Sequence, residues 1–222
     1  MEQTPANDNA NLTVLEIIPA ESKKIIEIGC GSGALAREFK IINPACHYIG
    51  LDIVEQYANM ASKYCDETIV ANLEKQDALF YEKLKDRDCW IFADSLEHLL
   101  DPWLALKKVR EVIPEHGYVV ACIPNAQNWS VVGNLAIGNF RYQDSGLLDK
   151  THLRWFTRQT MFELFEGAGF SVESVTSRIV GDPSNIPFLS IIREIAKFAG
   201  TDPEIAARDS IPFQYVFKVK PK

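Results

Sequence analysis

Three glycines, Gly29, Gly31 and Gly33, stand at alternate positions in IIEIGCGSGALAREF (25–39), between an apolar run and a helix-like run. Glycine is costly inside regular structure and is placed where the backbone must turn sharply or approach another group closely. A strand–turn–helix with bare backbone and an open helix N-terminus can cradle a nucleotide-like ligand. Glu27 lies just before this loop, giving E-x-G-x-G-x-G, and Asp52 ends the next strand-like run. An acid at the end of a second strand suits ribose hydroxyls. The spacing alone does not name the ligand, because Gly29-x-Gly31-x-x-Ala34 also satisfies the loose NAD fingerprint.

Such residues work only if a scaffold brings them to one place. Strand-like runs at 23–28, 47–52, 67–73, 89–94 and 118–124 alternate with helix-like runs at 33–41, 54–64 and 103–113. Asp101 and Pro102 are a good start for the last of these helices, and Pro114 ends it. The strand runs are apolar without clean alternation, so they are buried on both faces. Their alternation with helices predicts an α/β, doubly wound, mostly parallel sheet. Right-handed crossovers then gather the strand C-termini along one edge. Residues 27–33, Asp52, Asn72, Asp94 and Asn125 all fall there. After strand five the rhythm breaks into an insertion, 126–156, rich in Asn, Gly and aromatic residues. A helix (158–168), a strand (170–180), an amphipathic helix (188–200) and a last strand (213–220) complete a seven-stranded sheet whose last strand is inserted antiparallel.

The 222 residues suit one domain over 12–222, with the polar start, 1–11, read as a disordered lead-in without a signal-peptide pattern. A net charge of −7 argues against a broad nucleic-acid face, and Lys107, Lys108 and Arg110 read as the solvated side of a helix. No apolar run reaches the roughly 18 residues that span a bilayer, so no integral membrane contact is expected. Five cysteines without C-x-x-C spacing read as reduced, mostly buried thiols of a cytoplasmic protein. The four histidines are scattered without metal-ligand spacing, so no metal is expected. Helix 188–200 has only Arg193 and Lys197 as cations, which fits a packed cap or a homodimer contact better than a membrane surface.

Three features favour S-adenosylmethionine over a dinucleotide. They are the acid at Glu27, the layout ADSLEHLLDPW (93–103) after strand four, and the order of the closing helices and strands. Here the sequence resembles the class I S-adenosylmethionine-dependent methyltransferases, over roughly residues 12–180. Within that class it is similar to a bacterial subgroup marked by FADSLEHLLDPW (92–103), IPNAQNWSVVGNL (123–135) and GLLDKTHLRWFT (146–157). The subgroup is associated with glycosyltransferases and surface-polysaccharide synthesis. The resemblance implies that Gly29, Cys30, Gly31 and Gly33 lie against the methionine end of the cofactor, with Glu27 meeting its amino group. It implies Asp52, with Ile53 beside it, on the ribose; Asn72 and Leu73 at adenine; and Asp94 and Ser95 closing the methionine side. Relatives commonly carry Asp where this chain has Asn72, whose amide oxygen can still accept. Cys30 is given no reactivity.

An alcohol acceptor must lose its proton during methyl transfer, which calls for a base. His98, His152 and Asp149 are the candidates, with Glu97 behind them. His98 follows strand four at the active edge; its other reading is a histidine that hydrogen-bonds a loop. His152 sits in the insertion, where Asp149 could orient it; it could equally tie the insertion down. Arg154 could hold an acidic acceptor or pair with a protein acid. Trp129, Phe140, Tyr142 and Trp155 could wall an acceptor pocket or pack the insertion onto the sheet. The expected activity is O-methylation of a small-molecule or glycan hydroxyl. N-methylation of an amine is the alternative, ahead of an NAD-dependent oxidoreductase or a silent cofactor-binding subunit.

Overall fold

The computed structural model describes residues 8–222. Seven strands form one sheet: β1 (Lys24–Ile28), β2 (His47–Asp52), β3 (Glu67–Val70), β4 (Cys89–Ala93), β5 (Tyr118–Pro124), β6 (Phe170–Arg178) and β7 (Gln214–Pro221). Their order is β3-β2-β1-β4-β5-β7-β6, with β1 to β5 parallel and β7 antiparallel to both of its neighbours. The strand order reverses between β1 and β4, so the crevice of this open sheet lies at their C-terminal ends.

Nine α-helices surround it among the described residues: α1 (Leu12–Leu15), α2 (Ala34–Ile42), α3 (Glu55–Ala61), α4 (Ala78–Glu82), α5 (Pro102–Val112), α6 (Trp129–Ala136), α7 (Arg158–Gly167), α8 (Phe188–Phe198) and α9 (Pro203–Asp209). Alternate residues of each central strand serve different faces. Ile26, Ile28, Trp90 and Phe92 pack with α4, α5 and α7, whereas Ile25, Cys89 and Ile91 pack with α1 and α2. That is why the central strands show no polar face in the sequence. All five cysteines are buried free thiols, and no helix among the described residues is long and apolar enough to cross a membrane.

Several elements differ from the sequence reading at their edges. Helices α1, α4, α6 and α9 were not foreseen; three of them are short, and α6 lies inside the expected insertion. The strand foreseen over 67–73 stops at Val70, because Asn72 turns the chain by accepting the Glu74 N–H at 2.9 Å. Of the expected lead-in, residues 1–7 lie outside the described residues. Asp8 pairs with Arg37, and Asn11 caps α1, so this end of the chain is held against the domain. Helix α8 packs on α6 and α9, buries Ile192 and Ala196, and leaves Phe198 96% exposed.

The IPN run at the end of β5 fastens the insertion. Asn125, fully buried, donates from Nδ2 to the carbonyls of Asp209 and Pro212, both at 2.9 Å, and accepts from the Gln127 N–H at 3.0 Å. Asn128 repeats the pattern on Ile211 and Pro212. Alanine at 125 would take one of two donors from each carbonyl, leaving Pro212 to Asn128 and Asp209 to Tyr215, and would take the side-chain acceptor from the Gln127 N–H; we expect it to cost about 2 kcal/mol. Urea unfolding checks this; a loss under ~0.5 kcal/mol would mean that water reaches those groups.

Candidate active site

A cavity of about 650 Å³ opens at the C-terminal ends of β1, β2 and β4, within the size range of small-molecule sites. Its lining includes Glu27, then Gly29, Cys30 and Gly31 of the loop, Asp52, Ile53, Asn72, Leu73, Asp94 and Ser95, but not Gly33, which was expected against the cofactor and instead packs at Ala61 of α3. It continues to Glu97, His98, Asp149 and His152. Residues from four strand ends and from the insertion thus meet around one space.

The loop turns through left-handed backbone at all three glycines, with φ of +76° at Gly29, +53° at Gly31 and +79° at Gly33. A side chain at Gly29 would also meet Cβ of Ser95 at 3.1 Å. The turn is hinged on β2: the N–H groups of Gly29 and Cys30 donate to the Leu51 carbonyl, and that of Gly31 donates to Asp52 Oδ2 at 2.9 Å. The other carboxyl oxygen of Asp52 accepts from Val54 N–H at 2.8 Å. Gly33 is the N-cap of α2 and has no side chain to cap it, so the first-turn N–H groups lack a side-chain partner.

Electrostatics divide the acids. Asp52 is 6% exposed, and burial raises its pKa against the opposing effect of these backbone N–H groups. Glu27, 3% exposed, accepts from Tyr48 Oη at 2.8 Å, and burial pushes its carboxyl up to about 8. Asp94 sits at φ +56°, left-handed backbone that is rare without glycine, and its carboxyl is held by Gln214 Nε2. Ser95 Oγ is buried with no hydrogen-bond partner among the described residues. Burial also raises the Cys30 thiol far above its ordinary value, so it holds no reactive thiolate.

The second half of the site is built by the insertion. After β4 the chain makes a short turn, 96–98, and the N–H groups of Leu153 and Arg154 both donate to the Glu97 carbonyl, at 2.8 and 3.0 Å. This brings His152 beside His98, with ring centroids 4.9 Å apart. His98 Nδ1 lies 3.2 Å from the Thr151 carbonyl and 3.1 Å from Thr151 Oγ1. Asp149 accepts from the Thr151 hydroxyl at 2.7 Å and from its N–H at 2.8 Å. Asp149, foreseen as an orienter of His152, is thereby linked through Thr151 to His98. Burial lowers the pKa of both histidines, that of His152 to about 4 with His98 adding to the effect. Burial, and then the charge of Asp94, hold the Glu97 carboxyl well above the usual range.

The other foreseen acceptor residues lie elsewhere. Trp129, Phe140, Tyr142 and Trp155 are absent from the cavity lining. Phe140 packs against Tyr142 and Trp155, and Trp155 against the back of His152. The backbone N–H of Trp129 donates to Ser210 at the head of α6. Arg154 donates to the carbonyls of Leu153 and Leu100 and lies over the Trp103 ring, so it clamps the turn rather than facing an acceptor. Conversely, Asn9 to Asn11, Thr151, Arg178 and Gln214 belong to the site or its support, and no spacing in the sequence pointed to them. Arg178 reaches Asp94 through Gln214, across two strands that close late in the chain.

A model of the methyltransferase domain family matches residues 7–175. The chain belongs to that family. No curated protein matches the methyltransferase sequence. Solved structures share its fold. An S-adenosylmethionine-dependent methyltransferase from Thermotoga maritima superposes with a TM-score of 0.62 at 18% identity, over 95% of this chain and 87% of the other. Magnesium protoporphyrin IX methyltransferase from Synechocystis, with bound S-adenosylhomocysteine, gives 0.61 at 11% identity over 96% and 81%. The plantazolicin methyltransferase BpumL, also with S-adenosylhomocysteine, gives 0.59 at 14% identity over 90% and 77%.

Proposed function

We propose that the protein transfers a methyl group from S-adenosylmethionine to a hydroxyl of a small-molecule acceptor. The observation that carries this is the continuous cavity from the glycine loop to the Glu97–His98–His152 cluster. The donor's sulfonium supplies a methyl carbon already activated for in-line displacement. The loop fits such a ligand, because Gly29 and Gly31 line the cavity in left-handed backbone and present bare main chain to it. Asp52 holds the two ribose hydroxyls and the Gly31 N–H at once. Glu27 lies within the loop's reach and offers a carboxylate to the donor's amino group. Asn72 and Leu73 flank the base.

Most of the rate comes from orientation, worth on the order of 7–11 kcal/mol for well-placed reactants. The acceptor hydroxyl lies against Glu97, His98 and His152, and this cluster assists the loss of its proton. The group required for a hydroxyl acceptor is therefore at hand, which favours O-methylation over an amine that needs less help. The aromatic residues that suggested a sugar platform line another part of the surface, so the reading favours a compact acceptor over a glycan.

Calorimetry with S-adenosylhomocysteine tests the donor half. Wild type is expected to bind it. Asp52→Ala is expected to weaken binding about 10–100-fold, the loss of charge-assisted hydrogen bonds. Heat with NAD and none with S-adenosylhomocysteine would reverse the reading.

A further inference from the structure

We propose that Glu97, His98 and His152 form a binding site for one divalent transition-metal ion of the zinc class. Its binding stands on these three residues alone; its task, to take the acceptor's oxygen, rests on the methyl-transfer reading above.

One ligand atom from each residue lies within 4.8 Å of the others, and all three residues line the cavity. The strongest sign is Glu97. It is 1% exposed, yet neither carboxyl oxygen has a hydrogen-bond partner among the described residues. A buried carboxyl left this way is costly, and such groups are rare in folded proteins. A protonated Glu97 would still need an acceptor, and His152 Nε2, its nearest basic group, is 3.9 Å from Oε1, too far for a hydrogen bond. A cation between the carboxylate and the two rings would satisfy all three.

The histidines are prepared for this. The Thr151 carbonyl can only accept, so His98 carries its proton on Nδ1 and keeps a lone pair on Nε2. A ligating histidine characteristically donates its other ring N–H to such a partner, which fixes ring and tautomer. The His152 ring is held instead by edge-on packing against Trp155, with ring centroids 5.9 Å apart. Thr151 is itself held by Asp149. Two imidazoles and one carboxylate suit zinc, cobalt(II) or iron(II) and are a poor match for magnesium, which prefers oxygen ligands. Metal–nitrogen bonds of about 2.0–2.1 Å would draw the three side chains slightly together. Three protein ligands leave a position open for an exogenous oxygen. An acceptor hydroxyl bound there becomes more acidic. Its proton leaves to solvent, the new C–O bond forms as the S–CH3 bond breaks, and S-adenosylhomocysteine departs neutral.

The test is titration of chelator-stripped full-length protein with Co²⁺ alone, followed by visible absorption. One equivalent is expected to bind with development of d–d bands, and Zn²⁺ is expected to displace it. Glu97→Gln and His152→Ala are each expected to weaken binding more than about 100-fold, and Thr151→Val, which removes the hydroxyl but keeps the carbonyl on His98 Nδ1, about 10-fold. Binding of S-adenosylhomocysteine by the same variants, measured without metal, reports that they are folded. No spectral change with wild type, or equal binding by wild type and all three variants, overturns the site, and the wild-type titration decides alone if a variant fails to fold. Metal binding without any binding of S-adenosylhomocysteine would leave the site standing and remove the methyl-transfer reading. The opposite pair of results would do the reverse.

Discussion

Gly33→Ala is expected to destabilise the protein by about 2–5 kcal/mol and to abolish binding of S-adenosylhomocysteine. Two costs combine. A residue with a Cβ in left-handed backbone, here φ +79°, costs roughly 1–2 kcal/mol. The new methyl would also stand 2.8 Å from Cα and 3.2 Å from the carbonyl oxygen of Ala61, at the end of α3. Backbone cannot swing aside as a side chain can, so α2 or α3 must shift, and overpacking of this kind costs about 1–3 kcal/mol. Gly138→Ala is the control, since it shares the positive φ, +72°, but a Cβ there meets nothing within 4 Å. Urea unfolding of both variants separates strain from collision. Equal losses would mean that α3 yields freely and that the close approach carries no weight.

Glu27→Gln is expected to make the ligand-free protein more stable at high pH and less able to bind the cofactor. The native carboxyl titrates at about 8 against an ordinary 4.5, because it is buried. Between those values the native state keeps a proton that the unfolded chain has lost. The contribution of this group is therefore fully present below pH 4.5 and is lost as pH rises to 8. Above pH 8 the folded protein carries a buried carboxylate with Tyr48 Oη as its hydrogen-bond donor. The pKa difference corresponds to roughly 3–5 kcal/mol. Glutamine keeps an acceptor for Tyr48 and does not ionise, so the variant's advantage should grow by that order from pH 5 to pH 9. Urea unfolding at the two pH values measures it. Parallel stability profiles would show that Glu27 is already ionised in the native state. A cationic ligand reverses the balance by favouring the carboxylate, so the variant should also bind S-adenosylmethionine more weakly than wild type.

The sequence by itself determined the sheet and the strand-end side of the cavity, with its glycine loop. Both follow from local rules. Apolar runs of strand length between helices dictate a doubly wound sheet, and the chirality of crossovers puts every strand C-terminus on one edge. Glu27, Gly29, Gly31, Asp52, Asn72, Asp94 and Ser95 lie at the end of a strand or in the turn after it, so their meeting needs no knowledge of long-range packing. Short elements were lost because α1 and α4, of 4 and 5 residues, are too brief to show a helical period.

Only the tertiary structure decided the His98–His152 side of the cavity. The histidines looked scattered because 53 residues separate the partners His98 and Thr151 along the chain. Their neighbourhood depends on two backbone hydrogen bonds that seat the insertion on the Glu97 carbonyl. The same seating turns Arg154 onto the Leu100 carbonyl and packs Trp155 behind His152, which removes both from the cavity that their composition had suggested they would line. An insertion of some thirty residues has no repeating period to tell which side chains face inward. Its direction is set by where its ends are tied, through Asn125, Asn128 and Glu97, and those ties span the fold rather than the sequence.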